Sequence, residues 1–88
     1  MLKISESSKP GEATLQLAGR VAGQWVQELK AAYEVARTGY GCVVLDFADV
    51  TFVDRAGAVL IRGLLREGIL LINCSPFVIE QLKESGNS

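Results

Sequence analysis

The sequence predicts an α/β domain with a four-stranded, mixed but mostly parallel sheet, helices packed on it, and the element order β-β-α-β-α-β-α. Three observations predict it. Two stretches, 24–38 and 55–67, repeat apolar residues at helical spacing. Two short runs, 42–45 and 69–72, are apolar with little alternation, as in strands covered on both faces. Strands and helices then alternate along the chain, which calls for parallel neighbours joined by crossovers. Eighty-eight residues make one domain, and a 49% hydrophobic content is enough for one core. The ordered part is expected to span about 2–84, with "ESGNS" (84–88) fraying.

The elements follow in order. Residues 2–6 form an edge strand, expected to be antiparallel. Ser7, Ser8, Lys9, Pro10 and Gly11 are turn chemistry. Over 13–18, Ala13, Leu15 and Leu17 alternate with Thr14 and Gln16, a strand pattern. Gly19 and Gly23 bracket a turn. The first helix turns Trp25, Leu29, Ala32, Tyr33 and Ala36 inward. It leaves Gln27, Glu28, Lys30, Glu34 and Arg37 wet, and Gly39 is its expected C-terminal stop. Residues 42–45 form a buried strand, Ala48 and Asp49 a loop, and 50–53 an extended segment. The second helix runs over 55–67 and stops at Gly68. Residues 69–72 are a second buried strand. Ser75-Pro76 is a cap followed by proline at the first helical position. The third helix then buries Phe77, Val78, Leu82 and Ile79.

The junction "VTFVDRAGAVL" (50–60) carries the functional question. Asp54 falls where a strand ends and a helix begins, so its carboxylate caps the first turn and faces the positive end of the helix dipole. Gly57 lies in that first turn, where a helix gains nothing from glycine. A close approach by another backbone would account for it. Arg55 is the odd member, because a cation at a helix N-terminus is disfavoured by about 0.3–1 kcal/mol. Helical spacing turns Gly57, Leu60, Ile61, Leu64 and Leu65 inward and Arg55, Ala58, Val59, Arg62 and Arg66 outward. Three arginines with small or apolar residues between them suit an acidic partner surface.

With these residues in view, the chain resembles the STAS domains, the family of anti-sigma factor antagonists and of sulfate-transporter tails. "LQLAGRV" (15–21) resembles that family's strand and turn. "VVLDFADVTFVDRAG" (43–57) resembles its signature, an apolar strand with Asp46, a valine at 50, then Asp-Ser-x-Gly. "GILLINCSPFVIEQLKESG" (68–86) resembles its closing strand and helix. The resemblance implies a bacterial signal-transduction module that regulates transcription through protein contacts at this junction. In the family, a partner kinase phosphorylates the serine after the aspartate and releases the domain from its anti-sigma factor. Asp54 and Gly57 match that motif, whereas Arg55 stands in the serine's place and Ala22 replaces the family's usual aspartate. A guanidinium accepts no serine-type phosphate, and its positive charge opposes the roughly −1.5 to −2 of a phosphoserine. The implied partner is an anti-sigma factor or related serine kinase, or alternatively a subunit of a membrane transport complex. A homodimer is also admitted.

Other chemistries find less support. With nine Lys+Arg against ten Asp+Glu, no charge excess points to nucleic acid or an anionic membrane. No apolar run reaches the roughly 18 residues of a membrane helix. The N-terminus lacks a signal-peptide core, which predicts a cytoplasmic protein. Cys42 and Cys74 match no metal or redox spacing and are expected to be buried and reduced. There is no histidine to activate a cysteine or serine, and no phosphate-binding glycine loop. No enzyme, cofactor or metal is expected. Asp46, Asp49 and Asp54 fall near strand ends, where three gathered carboxylates would suit magnesium, but separate loop and cap roles are the preferred reading. Thr51 is a weak alternative phosphorylation site better explained by a strand, and Ser75 is better explained by a helix cap. Trp25 is read as core.

Overall fold

A computed structural model describes residues 1–86, with side chains through Lys83. The order is β1 (Leu2–Lys9), β2 (Glu12–Val21), α1 (Trp25–Gly39), β3 (Cys42–Val53), α2 (Arg55–Arg66), β4 (Leu70–Ile72) and α3 (Pro76–Gly86). This is the expected α/β sequence of elements. Of the tail expected to fray, 84–86 continue α3 as backbone helix, while Asn87 and Ser88 lie outside the described residues.

The sheet runs β1-β2-β3-β4. β1 and β2 pair antiparallel through a hairpin whose turn is Pro10-Gly11, with Gly11 at φ 80°. That conformation suits glycine, and proline ahead of it pre-sets the turn. β2 pairs parallel with β3, and β3 with β4. Both crossovers step the same way along the sheet, so right-handed connections place α1 and α2 on one face. The core lies between that face and the helices. It joins Leu15, Leu17, Leu45 and Phe47 of the sheet to Leu29 and Tyr33 of α1, Ile61 of α2 and Val78 of α3.

Several expectations are corrected. The central strands are covered on one face only: Gln16 is exposed and Asp46 half-exposed on the other, and Val44 is the buried exception there. The predicted short strand, loop and extended segment over 42–53 are one strand. β3 uses twelve residues to run beside the ten of β2, and its register shifts twice, between Asp46 and Asp49 and between Val50 and Phe52. Each bulge adds a residue and resets the alternation, so the positions in the core are Val43, Leu45, Phe47, Val50 and Val53. β4 is an edge strand rather than a buried one, with Leu70 and Ile72 exposed. On α3, Val78 and Leu82 are buried, whereas Phe77 and Ile79 face water. α1 ends at Tyr40, which is extended, so Gly39 is its last helical residue and not a left-handed cap. The expected stop at Gly68 is present: it takes φ 99°, and its N–H donates to the carbonyl of Leu65.

α3 occupies the ground β4 leaves free. Asn73, at φ 58°, turns the chain away after three strand residues, and its side-chain amide donates to Asp46 Oδ1 at 3.1 Å. Further along β3, Gln81 of α3 accepts the N–H of Val53 at 2.9 Å. A side chain thus satisfies a strand donor that no strand reaches. Ser75 Oγ accepts from Val78 N–H at 3.2 Å, with Pro76 as the first helical residue, as expected.

Candidate functional site

The junction between β3 and α2 is built on one carboxylate. Asp54 has extended backbone dihedrals, and its Oδ1 accepts the N–H of Gly57 at 2.7 Å, which is the expected N-cap. Its other oxygen, Oδ2, accepts the N–H of Gly23 at 2.9 Å. Gly23 sits in the tight turn that opens α1, where the N–H groups of Trp25, Val26 and Gln27 donate to the carbonyls of Ala22, Gly23 and Gln24. Gln24 makes no side-chain cap of its own. Asp54 therefore ties the starts of two helices, both of which present partial positive charge. Gly57 has the reason anticipated for it. A Cβ there would lie 2.6 Å from the carbonyl oxygen of Val21 and within 3.1 Å of the Val21 and Val53 side chains. That same carbonyl accepts the N–H of Asp54 at 3.0 Å. The end of β2 and the start of α2 are in backbone contact.

Outside this knot, α2 presents Arg55, Val59 and Arg66 to solvent, with Arg62 half-buried beside them. Their spacing of four, three and four residues puts them on one stripe. Ala58, expected on the same face, is fully buried and cannot contact a partner. Leu65, expected inside, is 38% exposed. The inward face is Gly57, Ala58, Ile61 and Leu64, rotated from the expected one toward Ala58. The first turn of α2 contains no acid, and among the described residues Arg55, Arg62 and Arg66 form no salt bridge. Val59 and Leu60 also border a shallow groove of about 280 Å³ between α1 and α2.

The other end of α2 is fastened by side chains. Tyr33 Oη donates to Glu67 Oε1 at 3.0 Å, and Arg37 approaches the same oxygen at 3.5 Å. Burial, then the hydrogen bond to Glu67 and its negative charge, push the Tyr33 hydroxyl above its ordinary value of 10.0.

The three aspartates do not converge. Asp46 and Asp49 line a polar cavity of about 260 Å³ on the open face of the sheet, with Lys3, Ser5 and Gln16, and Asp54 is not among its walls. Asp46 also accepts the N–H of Ala48 at 3.0 Å, so it shapes the first bulge and the turn after β4. Among the described residues no three His, Cys, Asp or Glu side chains gather to hold a metal. Thr51, at the second bulge, donates its hydroxyl to the Gly19 carbonyl at 3.2 Å. Cys42 and Cys74 are free and half-buried, and burial raises the Cys74 thiol. Trp25 is half-buried and packs against the core.

Sequence reasoning missed Gly23 as a partner of Asp54, the Asn73 and Gln81 contacts, and the stacking of Arg20 over Phe52 at 4.8 Å. The only signal for the first was the glycine itself, which takes φ 58° at this turn.

No family model matches the chain, and neither does any curated protein. A solved structure does match: the anti-sigma factor antagonist SpoIIAA in its unphosphorylated form, with a TM-score of 0.69 and 20% identity over 88% of this chain and 76% of that one. The chain has the SpoIIAA fold. At this identity the likeness is one of architecture. In this chain the junction and the arginine stripe lie where the second crossover leaves β3. No helix is long and apolar enough to cross a membrane among the described residues.

Proposed function

We infer that this domain is a non-enzymatic, regulatory protein-interaction module that meets an acidic protein surface through the start of α2. The observation that carries the reading is the stripe of Arg55, Val59, Arg62 and Arg66. It is a cationic face with no acid in its first turn, set on a backbone knot that fixes where it points. Guanidinium groups suit carboxylates because they donate two hydrogen bonds in parallel. The SpoIIAA fold supports a partner of the anti-sigma factor kind. In this role Asp54 and Gly57 hold the surface, and Arg55, Arg62 and Arg66 contact the partner. With arginine at position 55, binding is regulated by something other than phosphate at that site.

Affinity capture from the native cell tests the reading, using the unmodified chain and an Arg55→Glu/Arg62→Glu variant. The expected partner has an acidic contact surface. It is retained by the unmodified chain, lost by the variant and released by salt. Equal retention by both proteins refutes the reading. Capture of transporter subunits instead of a regulator would transfer the same surface to a transport complex. Incubation with ATP and a kinase of the anti-sigma type should leave the junction unmodified. Stoichiometric phosphate on Thr51, seen by mass spectrometry, would show a local switch after all.

A further inference from the structure

The two edges of the sheet differ in a way the proposed function does not use. β1 runs for eight residues and exposes Lys3, Glu6 and Lys9 among serines. Charges along an edge are the usual protection against pairing with another chain. β4 has none. Residues 68–79 carry no charge at all, and the strand exposes Leu70 at 53% and Ile72 at 41%. Its register with β3, Leu70 beside Val44 and Ile72 beside Asp46, puts both side chains on the open face of the sheet. Leu71, beside Leu45, points to the core.

We propose that β4 is a self-pairing edge, along which two copies of this chain join antiparallel about a two-fold axis through Leu71. The pattern is self-complementary. In that register Leu70 of each copy opposes Ile72 of the other, so four apolar side chains form one strip across the joint. The opposite choice, β4 against β1 of the next copy, would propagate without closing and would set apolar residues against the charged edge. The β4 pair closes after one step into an eight-stranded sheet. The apolar surface covered is on the order of a few hundred Å², well below the roughly 1,200–2,000 Å² of a permanent complex. The dimer is therefore weak and concentration-dependent, and the protein range in which to look for it is ~10 μM to 1 mM.

Sedimentation velocity across that range is the first measurement, and it expects a reversible monomer–dimer equilibrium. A chain that remains monomeric at about 1 mM overturns the proposal. Two double variants then test the register. Leu70→Lys/Ile72→Lys sets lysine against lysine and should weaken association by ~tenfold or more. Leu70→Lys/Ile72→Glu sets lysine against glutamate and should retain the dimer, now in a salt-sensitive form. Equal loss in both variants, or a dimer that survives the double lysine, overturns the antiparallel pairing. Both positions are exposed, so the variants are expected to fold, with denaturant midpoints as the control. Should the double lysine fail to fold, hydrogen exchange of the unmodified chain decides. Amide protection at 70–72 that rises with concentration supports the proposal, and protection independent of concentration refutes it.

Discussion

The two ends of α2 are fastened by different means. At the start, Asp54 accepts two backbone N–H groups and Gly57 lies against the Val21 carbonyl. At the finish, Glu67 takes the Tyr33 hydroxyl and the Arg37 guanidinium, both through side chains at the protein surface. A short carboxylate held by two backbone N–H groups and a backbone-to-backbone contact at Gly57 leave little rotamer freedom, so the start has one geometry. Long side chains and water can replace one another at the finish. Of the stripe proposed to bind, Arg55 lies at the rigid end and Arg66 at the looser one.

This contrast makes graded predictions. Gly57→Ala should have the largest effect. Its Cβ would sit 2.6 Å from the Val21 carbonyl, and overpacking of this kind costs about 1–3 kcal/mol, here expected near the upper end. A denaturant midpoint within error of the unmodified chain would show that the knot gives way. Asp54→Ala comes next, at about 0.5–2 kcal/mol for the lost cap, with faster hydrogen exchange at both Gly23 and Gly57. Faster exchange at Gly57 alone would mean that the second oxygen contributes nothing.

Tyr33→Phe should cost about 0.5–1.5 kcal/mol at neutral pH and is also readable by pH. The folded-state pKa of Tyr33 is raised above its unfolded value, so its contribution is complete below pH 10 and is lost as pH rises through the folded value. The gap between the unmodified chain and Tyr33→Phe should therefore close in alkali. A gap that stays constant above pH 10 would contradict the raised Tyr33 hydroxyl. The smallest effect is expected for Arg55→Ser, which should leave stability unchanged or raise it slightly by removing a cation from the wrong end of a dipole. The same change should weaken partner binding. A large loss of stability would place Arg55 in the fold instead of on the binding face.

Local chemistry made much of this legible in advance. Asp54 ahead of a helix, the uneconomical glycine at 57, Ser75-Pro76 and Gly68 each announce their role within four residues. What stayed hidden depends on partners far along the chain. The second oxygen of Asp54 finds Gly23, thirty-one residues away. The continuity of β3 was concealed because two bulges break the alternation by which strands are recognised, so one strand reads as strand, loop and strand. The burial of Ala58 was missed because an alanine carries little hydrophobic signal, while Leu65, which carries much, lies at the edge of the buried face. The exposure of Leu70 and Ile72 follows from β4 being an outermost strand, and composition does not encode strand order.

The shared carboxylate also gives the protein an optical handle. Trp25 is the chain's single tryptophan and the first residue of α1, two positions beyond the glycine that Asp54 holds. Its indole is half-buried, a setting in which small changes in solvent contact shift emission. Binding at Arg55 that displaces Asp54 should reach, through Gly23, the turn that seats the indole, and emission unchanged on binding would show that the junction stays fixed. Fluorescence of the unlabelled protein is therefore the readout to try for events at α2, a helix that contains no chromophore.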